Sequence, residues 1–109
     1  MSDDLFLNTE SIVESNEPVR THQFTLEDIM VTITIRIYRK IGEYRFHFDQ
    51  SHYIKTPCQF SRYRTSSPFG DTEDKALDHA LETFTDYYHA AVRKGHMPDE
   101  TWLVANENF

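Results

Sequence analysis

The 109-residue chain is poor in the residues that usually announce a chemistry: one cysteine, Cys58, three glycines and four prolines. A single cysteine cannot close an internal disulfide, and it leaves no Cys pair for a structural zinc motif. Three glycines do not make a phosphate-cradling loop. No stretch approaches the roughly 18 consecutive apolar residues of a membrane span. The opening MSDDLFLNTE has neither the basic start nor the apolar run of a secretory signal. The expectation is a soluble, cytoplasmic protein with no membrane association. No repeat or low-complexity tract interrupts the chain.

Aromatic residues, by contrast, are plentiful: eight Phe, six Tyr and one Trp. With 39% hydrophobic residues, they supply a core of ordinary size for one globular domain. The net charge of −7 is unevenly laid out. Residues 1–28 carry seven acids and one base; residues 29–69 carry seven bases and two acids; residues 70–109 carry nine acids and three bases. A basic middle lies between two acidic ends, a layout that bears on partners and association rather than on fold.

Residues 1–17 read as an acidic arm or a short helix capped by Asn8 or Thr9, and residues 18–109 as a single α+β domain. From Val19 the hydrophobic period is two, and Glu27-Asp28 reads as a tight turn. In IMVTITIRIYRK the apolar Val31, Ile33, Ile35 and Ile37 alternate with Thr32, Thr34, Arg36 and Tyr38, the pattern of a half-buried strand. Gly42 suits a hairpin turn into YRFHFD, where Tyr44, Phe46 and Phe48 alternate with Arg45, His47 and Asp49. Pro57 interrupts the pattern, and QFSRYRT at 59–65 offers a further strand with Tyr63 inward. Ala76, Leu77, Ala80, Leu81, Phe84, Tyr88, Ala91 and Val92 form a helical stripe. Asp71 or Thr72 stands at its start and Gly95 just past its end, which predicts a helix over 72–94. The apolar Trp102, Leu103 and Val104 are expected to dock as a short strand or turn, or to form a dimer contact. The fold class is therefore α+β: an antiparallel β-meander of three to four strands packed on one long C-terminal helix.

The stretch YRFHFDQSH contains His47-x-Asp49-x-x-His52. On a strand, His47 and Asp49 share a face about 7 Å apart, and His52 lies beyond the strand end. A closed zinc site needs four ligands, and no further ligand pair is in view. The plain reading is a strand exterior, so no catalytic, metal or cofactor site is assigned. His79 falls opposite the helical stripe and is expected in solvent.

The same alternation places cations together. With 59–65 as a third strand, one sheet face would carry Arg36, Tyr38, Arg45, His47, Arg62 and Arg64, with Lys55 close by and the helix on the opposite face. A wet, polar face is ordinary for a sheet covered on one side. As a site, it would recognise an anionic partner. The function read from these features is a small non-enzymatic protein-interaction module, regulatory or inhibitor-like, with another protein as partner and a second copy of the chain as a further candidate. Nucleic-acid binding through the basic face ranks second, with Tyr38 or Tyr63 available for stacking. A short helix, three strands and a long helix is the element order of double-stranded-RNA-binding domains. Their last helix begins lysine-rich, whereas this one begins GDTEDKA, and no family is assigned. A small hydrolase-like enzyme using His47 and Asp49, with His52 and with Arg64 as anion clamp, ranks third.

Overall fold

The computed structural model describes residues 16–109. Strand β1 (Asn16–Phe24) pairs antiparallel with β2 (Ile33–Lys40), and β2 with β3 (Phe46–Gln50). After β3 the chain leaves this sheet as the short β4 (His52–Ile54), then returns as the two-residue β5 (Phe69–Gly70) beside β3. Helix α1 (Glu73–Arg93) follows, then a 3₁₀ turn (Glu100–Trp102) and β6 (Leu103–Ala105), which pairs antiparallel with β4. Among the described residues the main sheet has the order β1-β2-β3-β5, and β4-β6 forms a second, two-stranded sheet. The α+β architecture read from the sequence is the one observed. The expected arm over 1–17 lies outside the described residues except for its last two positions, which open β1.

The period-two pattern of β2 translates directly into burial. Ile33, Ile35 and Ile37 are at most 1% exposed, while Arg36 between them is exposed. Each such side chain contributes roughly 1.5–3 kcal/mol by leaving water. The register sets Ile37 opposite Phe48, so both strands present apolar residues to the helix. Helix α1 answers with Ala76, Leu77, Ala80, Thr83, Phe84, Tyr88 and Ala91, all buried. Its alanines allow close approach. At Gly70 an added Cβ would lie 2.5 Å from the backbone nitrogen of Ala76, so β5 and the helix start are in backbone contact there. Thr72 caps the helix, its hydroxyl accepting from the Lys75 N–H at 3.0 Å, and Glu73 and Asp74 face the positive end of the helix dipole.

The turn at Glu27-Asp28 is present, with the Ile29 N–H donating to Leu26 O and Asp28 left-handed at φ 65°. The turn at Lys40–Glu43 is present as well, the Glu43 N–H donating to Lys40 O at 3.0 Å with Gly42 at φ 90°, but β3 starts only at Phe46, and Tyr44, expected in that strand, stands 95% exposed. The tail does dock. Trp102 is buried edge-on against Tyr88 at 5.9 Å, and β6 lies on β4. Ser51 joins the two sheets: its N–H donates to Thr34 O of β2, and its carbonyl accepts from the Asn106 N–H.

Residues 59–65 are not a strand. Pro57 has no N–H to offer a ladder. Gln59 binds locally as well: its Oε1 accepts from the Thr56 N–H at 2.7 Å, and its Nε2 donates to the carbonyls of Ile54 and Ser61. The backbone bond from Tyr63 N–H to Ile54 O, at 2.9 Å, anchors the segment beside β4. The place beside β3 is taken instead by the two-residue β5.

Candidate functional site

The six cations and aromatics expected on one sheet face divide between two surfaces. Arg36, Tyr38 and His47 do lie together on the open face of the main sheet, where Tyr38 is paired with His47 and Arg36 with Asp49. The Tyr38 and His47 rings stack at 5.6 Å, and Phe69 meets His47 edge-on at 6.0 Å. Arg45 sits on the loop before β3 with its guanidinium 4.4 Å from the Phe69 ring. The result is a ladder of Tyr38, His47, Phe69 and Arg45 across the sheet end.

Arg36 and His47 on this face have carboxylate partners within the chain. Arg36 lies 3.8 Å from Asp49 Oδ2, donates to Phe109 O at 2.8 Å, and sits 3.8 Å over the Phe109 ring. Arg39, on the helix-side face, lies 3.5 Å from Glu17. His47 Nε2 is 2.9 Å from Glu43 Oε1, and this hydrogen bond holds the Glu43 carboxyl below the usual carboxylate range. Burial, with Asp49 adding to it, raises the Tyr38 phenol.

The His47, Asp49 and His52 side chains are dispersed. His47 faces Glu43, Asp49 faces Arg36, and His52 Nδ1 lies 2.8 Å from Ser51 Oγ on β4, with burial holding its imidazole below the ordinary value. No cluster of three or more metal-ligating side chains occurs among the described residues. His79 is not in solvent: it packs edge-on to Phe48 at 5.5 Å, with Nε2 3.3 Å from Thr65 Oγ1.

Arg62 and Arg64 lie elsewhere. Tyr63 turns inward onto Tyr87 at 4.8 Å, so its two neighbours turn outward. Both guanidiniums rest on one ring, that of Tyr53 in β4, at 5.4 and 6.0 Å. Beside them runs a groove of about 470 Å³ lined by Lys55, Phe60, Ser61, Arg62, Arg64 and Val104. Three of its six lining residues are cations, and none is a carboxylate. Phe60 stands fully exposed at this groove. Arg62, Arg64 and Val104 also line a smaller hollow of about 190 Å³ that includes Asn106 and Glu107. Among the described residues, Lys55, Arg62 and Arg64 take part in no ion pair.

Phe60 is not among the residues that the alternation of the sequence singles out. The signal was present: an aromatic beside a polar turn, followed by two arginines at alternate positions. It was obscured by assigning the segment to a strand, in which Phe60 and Arg62 would share a face and pack into a ladder.

No protein-family model matches the chain, and no significant match was found among curated proteins or solved structures.

Proposed function

We propose that the chain is a small protein-interaction module that receives an acidic segment of another protein in the groove of Lys55, Phe60, Arg62 and Arg64. The observation that carries this reading is the lining itself: three cations, an exposed phenylalanine and a valine, with no carboxylate among them. Such a surface supplies both elements of a recognition site, an aromatic anchor and charges that fix register. The two arginines are held over one ring rather than free to sample solvent, which lowers the ordering cost of binding. The groove replaces the sheet face as the favoured site because Arg36 and His47 on the sheet face already have carboxylate partners within the chain, which leaves only Arg45 there without one among the described residues, against three such cations in the groove.

Nucleic acid remains the second reading, since Phe60 offers a face on which a base stacks. The net charge of −7 works against affinity for a polyanion.

The test is a titration of a fluorescent acidic peptide, glutamate-rich with one leucine, and of an oligothymidylate of similar length. The expected result is that the peptide binds, that added salt weakens it, and that Arg62→Glu/Arg64→Glu weakens it by at least about tenfold, or ~1.4 kcal/mol. Phe60→Ala should also weaken it. Binding of the oligothymidylate alone would favour the second reading, and equal behaviour of wild type and double variant would end the groove reading.

A further inference from the structure

Among the described residues the outer edge of the main sheet at β1 is unpaired, and its free hydrogen-bonding positions follow from the register. Thr34 uses both backbone groups toward β3: its N–H donates to Ser51 Oγ at 2.8 Å and its carbonyl accepts from the Ser51 N–H at 2.9 Å. Backbone groups alternate in direction along a strand. Ile33 and Ile35 therefore face β1, where they oppose Phe24 and His22. His22 and Phe24 are bonded inward. Thr21 and Gln23 point their N–H and C=O outward, with no backbone partner among the described residues.

Natural edges of this length are blunted by lysine, proline, bulges or charge. Pro18 and the register shift between Pro18 and Arg20 blunt only the first part of β1. From Arg20 to Phe24 there is no proline or lysine, and Arg20 turns to the helix side, where it pairs with Glu73 and Asp74. Helix α1 packs chiefly over β2, β3, β4 and β5, and among the described residues it reaches β1 through side chains, Phe24 on Phe84 and Arg20 on Glu73 and Asp74, rather than along the strand's outer backbone.

We infer that this edge pairs with the same edge of a second copy, antiparallel about a two-fold axis through His22. The register is chosen by the side chains. With His22 opposite the partner's His22, Thr21 lies opposite the partner's Gln23, and the outward groups of these residues form four backbone hydrogen bonds. Arg20 then lies beside the partner's Phe24, cation against ring. Shifting the axis to Thr21 sets Arg20 against the partner's His22 and brings the bulge at Val19 into the ladder. The contact is isologous and closes at two chains. It joins two four-stranded sheets into one of eight, with both helices on one side, and it is independent of the groove.

The test combines sedimentation with cross-linking. Wild type should sediment with the mass of two chains at high micromolar concentration. Gln23→Pro removes an outward N–H that the sheet does not use, so it should sediment as one chain while keeping the wild-type circular dichroism spectrum. In a Cys58→Ser background, which removes the exposed native thiol, His22→Cys should form an intermolecular disulfide under mild oxidation. Directly opposed residues at such a non-hydrogen-bonded position have Cα atoms about 4.5 Å apart, within disulfide range. Thr21→Cys in the same background should not cross-link. A wild type that remains one chain at every concentration would overturn the pairing, as would cross-linking through position 21 but not 22.

Discussion

Arg36 and Arg62 are both exposed arginines laid over an aromatic ring, yet they sit in opposite circumstances. Arg36 has a carboxylate, a carbonyl and a phenylalanine ring from its own chain. Arg62 has the ring of Tyr53, which it shares with a second guanidinium, and a groove without a carboxylate. Charge in the first place is balanced internally and steadies the tail against the sheet. Charge in the second place is concentrated and outward. A sequence count of basic residues treats the two alike; the neighbours of each separate a charge balanced within the chain from one that has no carboxylate partner among the described residues.

The contrast can be broken from the structural side first. Gly70→Ala forces a Cβ onto the backbone of Ala76, and overpacking of this kind costs roughly 1–3 kcal/mol. Because no residue of β5 lines the groove, the expected result in urea unfolding is a lower midpoint, with the groove's affinity for the acidic peptide unchanged below that midpoint.

A smaller effect is expected at Arg36. Its ion pair is solvent-exposed and its ring contact is at the surface, so Arg36→Ala should cost less than about 1 kcal/mol, and less again at high salt. Arg62→Ala should leave stability near the wild-type value. A thermal melt of both variants at two salt concentrations compares the surfaces without any ligand.

The smallest effect concerns pH. Burial depresses the His52 imidazole in the folded chain, so the unfolded chain takes up that proton first as pH falls below about 6.5. This contribution to stability is full above that value and is lost as pH falls toward the depressed folded value. His52→Gln should flatten the decline between about pH 7.5 and about pH 5.5 relative to wild type, read as the difference in urea midpoints.

Much of the fold was legible because two periods were clean. Alternation in Ile33–Lys40 and the stripe from Ala76 to Ala91 each follow from one buried face. The cap at Thr72 and the left-handed Gly95 mark helix ends by local backbone chemistry. The site was half legible. Strand pairing brought Arg36, Tyr38 and His47 together as alternation requires. Arg62 and Arg64 also alternate about an inward tyrosine, but a turn held by the Gln59 side chain gives the same alternation without a sheet. Period two reports which side chains turn in; it does not report whether a neighbouring strand is there to receive the backbone.

The most direct measurement sets two charge reversals side by side: Arg62→Glu/Arg64→Glu in the groove and Arg36→Glu/Arg45→Glu on the sheet face, each titrated with the fluorescent acidic peptide after circular dichroism has confirmed folding. Loss of at least about tenfold in affinity for the groove variant, with less than about threefold for the sheet-face variant, is the predicted result. Equal loss in both, or greater loss on the sheet face, would contradict the assignment of recognition to the groove.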